Sequence, residues 1–338
     1  MYIVYLVANI EDVAGGPRVI IEQVNRLSSR GHQVEIWAAA KDIKPHFPCR
    51  VPIKPFEATQ LAIPDVLVMT DPSFLPQVLT HRTKGKTFLL VQHDNEWVAE
   101  VTGSVTYAGL IRDFKEYFLN KKCDIIVVSS WLKETLQKKY HLPSMVVPNG
   151  IDRGLFYQAR PLMKVDEPIV LTFYDPQVWK GFGETMQAIL QVRQHTPNLR
   201  VVIVGKFLPT VPNIPGQSFS FPFPVAYFNR PEQSDIARIY SMATVFVSAS
   251  WQEGFGLPGL EAMACGAPVV TTDSGGAREY AISEETAVVV PPRNSEALVE
   301  GILRVLQNTS LRDKLIKNGL EKAKEFDITL ILAIEGTY

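Results

Sequence analysis

The chain is 338 residues long, 46% hydrophobic and 20% charged, with a net charge of −1. That length accommodates two α/β domains, each with its own core. The composition is that of a globular enzyme and offers no electrostatic reason to expect a nucleic-acid partner. Cys49, Cys123 and Cys265 are odd in number, scattered and without metal-ligand spacing, which suits a reducing compartment. No apolar run reaches the length of a membrane span, and residues 2–8 are too short for a signal-peptide core and lack a cleavage site. A cytoplasmic location is expected.

Residues 2–8 (YIVYLVA) read as a fully buried parallel strand. They run through Gly15-Gly16-Pro17 into an amphipathic stretch, 19–30, ended by Gly31, and 34–38 is the next strand, so the chain opens on a βαβ unit. The glycine pair falls beyond the carboxyl end of a strand, where open α/β sheets hold their ligands. Its spacing is not G-x-G-x-x-G, so no dinucleotide site is read there. Residues 41–64 are proline-rich and read as loop with one edge strand. Strands at 66–69 and 87–91 follow, and the second leads directly into Gln92-His93-Asp94. A histidine there is a candidate functional group, because that residue type titrates near neutrality. A helix over 107–120 ends on Lys121-Lys122, which complement its dipole. A strand at 125–128 and a Ser129-Ser130 cap introduce a helix over 131–139. The strand 145–147 is stopped by Pro148-Asn149-Gly150-Ile151-Asp152, a turn able to act as a hinge.

The second half repeats the plan. A strand at 169–174 leads through Asp175 to Lys180-Gly181 and a helix ending near His195, and 201–204 is followed by Gly205-Lys206. Residues 209–224 are proline-interrupted and phenylalanine-rich, and read as a surface loop packed on itself in preference to a lip over a cleft. Tyr227-Phe228-Asn229-Arg230-Pro231 precedes a helix over 234–242. After 248–266 come a strand at 268–272, a glycine-bearing polar turn at 273–279, a last strand at 287–290, and helices over 295–306 and 311–326.

Residues 248–266, SASWQEGFGLPGLEAMACG, carry the most chemistry. A β-branched and aromatic strand precedes them, Pro258 suits a first helical turn and Gly266 a left-handed stop, leaving a helix of about two turns between them. The amides of Phe255, Gly256 and Leu257 then project from a helix N-terminus, where an anion is favoured, and Gly254 and Gly256 let it approach closely. Acids flank that site on both sides, Glu253 in the turn and Glu261 in the helix. A carboxylate beside a phosphate is tolerated when it accepts hydrogen bonds from hydroxyls of the same ligand. The ligand this pattern favours has a diphosphate in its middle and hydroxyls at both ends: a nucleotide-sugar, with sugar hydroxyls on Glu253 and ribose hydroxyls on Glu261.

Glu253-Gly-Phe-Gly-Leu-Pro-Gly-Leu-Glu261, followed by Ala262-Met-Ala-Cys-Gly-Ala-Pro-Val-Val270, resembles the E-x7-E signature of retaining glycosyltransferases of the GT-B fold, the group 1 or family 4 type. The resemblance implies an α/β protein of two Rossmann-like domains facing across a cleft. The first, 1–148, would take the acceptor side and the second, 149–326, the donor, with 148–152 at the boundary and the tail 327–338 crossing back. It implies a donor-sugar contact at His93, a cleft-lining role for Gly15 and Gly16, a diphosphate contact at Lys180, and a nucleobase bracketed by backbone at 227–231, with Arg230 and Pro231. The family's usual arginine five or six residues before Lys180 is missing: Tyr174 or Asp175 stands there. Lys206 or Arg230 would compensate. The implied reaction moves a hexose from a nucleoside diphosphate, UDP first, to a hydroxyl of a glycan, glycolipid or small molecule, with retention. No D-x-D pair is present, so no metal and no cofactor are expected. Peripheral docking at the inner membrane face is compatible with this. A nucleotide-sugar epimerase or hydrolase of the same fold, and a non-catalytic nucleotide-sugar binder, are the alternatives.

Overall fold

The computed structural model describes the chain except residues 13–14, 41–42, 58–59, 81–84, 104–108, 164–165, 208–220 and 332–338. The chain divides into two compact units, the first Met1–Asn149 with Ile331 and the second Gly150–Leu330.

The first unit is a seven-stranded, all-parallel sheet in the order β3-β2-β1-β4-β5-β6-β7. The strands are β1 Tyr2–Val7, β2 Gln33–Ala38, β3 Ile53–Pro55, β4 Val66–Met69, β5 Lys86–Val91, β6 Asp124–Val127 and β7 Met145–Val146. β1, β4, β5 and β6 read as continuous apolar runs because helices cover parallel sheets on both faces; Val4, Leu6, Val7, Met69 and Leu89 are wholly buried. The helices are α1 Gly15–Ser29, α2 Leu75–Thr80, α3 Asn95–Thr102, α4 Leu110–Asp113, α5 Lys115–Leu119 and α6 Ser130–Tyr140.

Three local expectations are revised here. Gly15 and Gly16 form the first turn of α1 rather than a loop before it. The helix expected over 107–120 is two short helices, because Phe114 sits between them at φ −100°, ψ 16°, outside helical geometry; its first two residues lie outside the described residues. α3 was not expected, and its signals are local: the Asp94 side chain accepts from Trp97 N, and Gly103 closes the helix in the left-handed region.

The second unit carries a six-stranded parallel sheet in the order β10-β9-β8-β11-β12-β13. Its strands are β8 Ile169–Tyr174, β9 Arg200–Gly205, β10 Val225–Asn229, β11 Val245–Ser248, β12 Val269–Thr272 and β13 Val288–Val290. The helices are α7 Phe182–His195, α8 Gln233–Tyr240, α9 Leu257–Ala264, α10 Ser295–Gln307, α11 Thr309–Glu325 and α12 Ile328–Ile331. On one face of the sheet Val170, Val201, Ile203, Val245 and Val247 pack against Ala188, Ile189, Ile302 and Val305 of α7 and α10. Each such aliphatic side chain, fully buried, stabilises the fold by roughly 1.5–3 kcal/mol. β10 is an edge strand that the sequence pattern does not announce, since its residues are only half-buried and do not alternate. Most of the insert expected as a self-packed loop, and the end of the tail, lie outside the described residues. Asp327 bridges to Ile151 within the second unit, flanked by Ile151 N–H to Phe326 O and Ile328 N–H to Ile151 O.

Candidate active site

Every loop that leaves the carboxyl end of a parallel strand is a potential ligand contact, and in the second unit two of them are clamped together. The first follows β8 and ends in a turn of 3-10 helix, Val178–Lys180. The second follows β11. Gly181 lies in the left-handed region at φ +67°, and a Cβ on it would stand 2.0 Å from the Ala249 carbonyl oxygen, so only glycine fits. Trp251 N–H donates to Trp179 O at 2.7 Å. These backbone contacts carry Lys180 to Glu253: Nζ lies 2.8 Å from Oε1. The Ser250 hydroxyl donates to the same oxygen at 2.7 Å. Burial pulls the Lys180 ammonium toward a lower pKa, but the Glu253 carboxylate, and behind it Asp175, outweigh that and hold it above the usual lysine value. The ammonium is therefore charged at neutral pH.

Glu253 is fixed along its backbone as well. Its N–H donates to Ser274 O at 2.8 Å and its carbonyl accepts from Gly276 N–H at 3.0 Å. Beyond it the chain turns into α9 through Gly256, left-handed at φ 84°, with Pro258 in the first helical turn. The amides of Gly254, Phe255, Gly256 and Leu257 find no acceptor among the described residues. The Phe255 ring is buried against Tyr280 and Phe326, at centroid distances of 5.8 and 5.7 Å, so only its amide can serve a ligand. Tyr280 donates its hydroxyl to the Gly256 carbonyl. Burial, reinforced by the Glu253 and Glu261 charges, drives the Tyr280 pKa far up, which keeps that donor protonated.

Glu261 stands differently. It is 3% exposed, and its carboxylate accepts the hydroxyl of Tyr240, itself wholly buried, at 2.9 Å. Ser250, Tyr240 and Tyr280 were not among the sequence candidates. Ser250 has a usable signal, a hydroxyl three residues before the turn glutamate; Tyr240 has none, since its contact spans 21 residues.

Lys206 and Arg230 directly follow β9 and β10 and converge on Phe207. Lys206 Nζ lies 5.4 Å and Arg230 Cζ 5.8 Å from its ring centroid, and Arg230 Nε donates to Lys206 O at 3.0 Å. Arg230 holds a positive φ of 48° and Pro231 follows it. Across β10-β9-β8-β11 these groups line three strand intervals, about 14 Å at the usual sheet spacing, along one sheet edge with Lys180 and Glu253. The first unit holds the other candidates. A Cβ on Gly16 would sit 3.5 Å from Gln92 Oε1, which brings the start of α1 to the end of β5, and His93 is exposed one residue on. Beside it Lys139 pairs with Asp94 at 2.7 Å, and Tyr140 donates to Glu96 at 2.7 Å. Among the described residues no three His, Cys, Asp or Glu side chains are grouped to hold a metal ion.

The family of glycosyl transferases group 1 matches residues 157–322. The second unit is a group 1 glycosyl transferase domain. All the donor-side candidates fall inside this domain, from Lys180 to Glu261. An uncharacterized glycosyltransferase of Methanocaldococcus jannaschii is 26% identical over 216 residues, 64% of this chain and 58% of that protein. The O-antigen chain mannosyltransferase B of Escherichia coli is 36% identical over 102 residues, 30% of this chain and 26% of that one. The chain thus spans well under two thirds of these relatives. Among solved structures, sucrose-phosphate synthase of Thermosynechococcus elongatus superposes with a TM-score of 0.76 at 21% identity, covering 99% of this chain and 97% of that one. Anabaena HepE in complex with UDP and glucose gives a TM-score of 0.78 at 15% identity, with coverages of 99% and 98%. The glycosyl transferase domain and the Rossmann-like unit before it make the chain a member of the GT-B fold class.

Proposed function

We propose that this protein transfers a hexose from a nucleoside diphosphate sugar, a UDP-sugar in the first instance, to a hydroxyl of a glycan or lipid-linked acceptor, with retention at the anomeric carbon and without a metal. The observation that carries the reading is the Lys180–Glu253 pair beside a turn of unengaged amides. The amides of residues 254–257 and the Lys180 ammonium hold the diphosphate and take up its charge as the sugar leaves. Glu253 orients the sugar through its hydroxyls, Glu261 receives the ribose hydroxyls, Lys206 or Arg230 supplies the second cation on the diphosphate, and the backbone of residues 227–231, with Arg230 and Pro231, brackets the base. His93, Gly15 and Gly16 are assigned to the sugar and acceptor. The bond from C1 to the diphosphate oxygen breaks, the acceptor oxygen bonds to C1 on the same face, and the acceptor's proton passes to the departing phosphate. A lipid-linked acceptor would be met by peripheral docking; no helix among the described residues is long and apolar enough to cross a membrane.

The relatives lend support by their own properties: one is a mannosyltransferase and one structure holds UDP and glucose. Melting temperatures measured with UDP-, GDP-, ADP- and TDP-sugars test the reading, since a ligand that binds the native state raises them. One class is expected to raise the melting temperature by several degrees, and Glu253→Ala is expected to abolish transfer while melting close to wild type. Full activity in Glu253→Ala ends the assignment. Turnover without any acceptor would favour a hydrolase or epimerase. A non-catalytic binder has one observation in its favour, the absence of the family's usual arginine where Tyr174 or Asp175 stands; binding of a nucleotide-sugar without turnover by any acceptor would establish it.

A further inference from the structure

The two donors on Glu253 share one oxygen. Lys180 Nζ at 2.8 Å and Ser250 Oγ at 2.7 Å both reach Oε1, while Oε2 has no partner among the described residues. We infer that Ser250 is a positioning residue: with Lys180 it pins Oε1 and leaves Oε2 as the oxygen offered to a hydroxyl of the bound sugar. This rests on the nucleotide-sugar reading of the site.

The surroundings make the hydroxyl a fixed point. Ser250 is 4% exposed, and its carbonyl accepts the Thr272 hydroxyl from the neighbouring strand β12. The next residue ties down the lysine's loop. Besides its backbone bond to Trp179, Trp251 donates Nε1–H to Glu184 Oε1 at 2.7 Å, and its ring lies 3.9 Å from the Arg293 guanidinium carbon. Glu253 itself is held at both N–H and C=O, so the remaining freedom of its carboxylate is rotation of the side chain. A single lysine donor does not remove that freedom, because an ammonium is a compact charge that can bridge both oxygens equally well. A second, short and neutral donor at Oε1 does. Oε1 is then occupied by protein and Oε2 is the acceptor left for the ligand, which makes Glu253 an orienter of the sugar.

The test compares a nucleotide-sugar with its bare nucleotide in wild type, Ser250→Ala and Ser250→Thr. UDP-glucose and UDP form one probe pair, GDP-mannose and GDP the other; affinities are measured by calorimetry and melting temperatures alongside. Losing one hydrogen bond to a charged group is expected to weaken the sugar nucleotide about tenfold in Ser250→Ala, with the bare nucleotide unchanged within about twofold. Ser250→Thr, which keeps a hydroxyl, is expected to restore most of the loss. Equal losses for sugar nucleotide and bare nucleotide, or no loss for either, would overturn the positioning role while leaving the parent reading standing. No rise in the wild-type melting temperature with any UDP-, GDP-, ADP- or TDP-sugar would remove both together.

Discussion

Glu253 and Glu261 lie in one turn and one helix, yet the protein treats them in opposite ways. Glu253 is partly exposed, and its carboxylate is met by a partly exposed lysine ammonium and by the hydroxyl of the buried Ser250. Glu261 is sealed in the core, with a buried tyrosine hydroxyl on its carboxylate. A part-solvated carboxylate exchanges partners at small cost, whereas a sealed one that loses a donor keeps the full penalty of an unsatisfied buried group. The first is therefore suited to groups that shift during a reaction, and the second to presenting its carboxylate to the ribose in one fixed orientation. Substitutions around each acid should separate along the same line, kinetic effects on one side and stability effects on the other.

The largest effect is expected at Lys180. Lys180→Met keeps the length of the stem and removes the only side-chain cation among the described residues that contacts Glu253. Transfer should fall by about 10²–10³, the usual loss when a group that stabilises leaving-group charge is removed. Stability should change little, because the Glu253 carboxylate is near enough to solvent to be hydrated. Steady-state rates and melting curves on the same preparation check both halves. A variant that unfolds readily but turns over normally, once folded, would reverse the comparison. The opposite pattern is expected at Tyr240→Phe. Removing that hydroxyl takes a donor from a buried carboxylate, which costs about 1–3 kcal/mol and is readable as a lower urea midpoint. Nucleotide affinity should drop only severalfold, as Glu261 loses part of its bracing. Unchanged stability in this variant would mean that Glu261 does not depend on Tyr240.

How much of this contrast is legible in the sequence follows from the reach of each interaction. The Glu253 turn is local: a strand, two glycines and a proline within a dozen residues set its shape, and the pattern can be read directly. Lys180 is read through the family resemblance, and its contact with Glu253 crosses 73 residues. It becomes plausible from sequence only because β8 and β11 are both strong apolar strands that parallel pairing sets side by side. The sealing of Glu261 is invisible, because nothing local in α9 distinguishes a glutamate facing Tyr240 from one facing water. For the same reason the two-glutamate spacing says which residues share a segment and not which of them is open. Gly15 and Gly16 show a second limit. Two glycines are poor helix formers, so they read as loop, yet they form the first turn of α1, where a Cβ on Gly16 would meet the Gln92 side chain.

The smallest expected effect is the pH dependence of the Lys180–Glu253 pair, and it tests whether the contact is an ion pair of the folded state. The folded pKa of Lys180 lies above its ordinary value of 10.5, so folding favours the protonated form. A raised pKa gives stability that is fully present below the unfolded value and lost as pH rises through the folded one. The stability difference between wild type and Lys180→Met should therefore be flat from about pH 6 to 9 and narrow only above about pH 10.5. Urea denaturation at a series of pH values measures it. Narrowing already between pH 7 and 9 would mean that burial, not the carboxylate, dominates the lysine, because desolvation alone lowers its pKa and moves the transition toward neutrality.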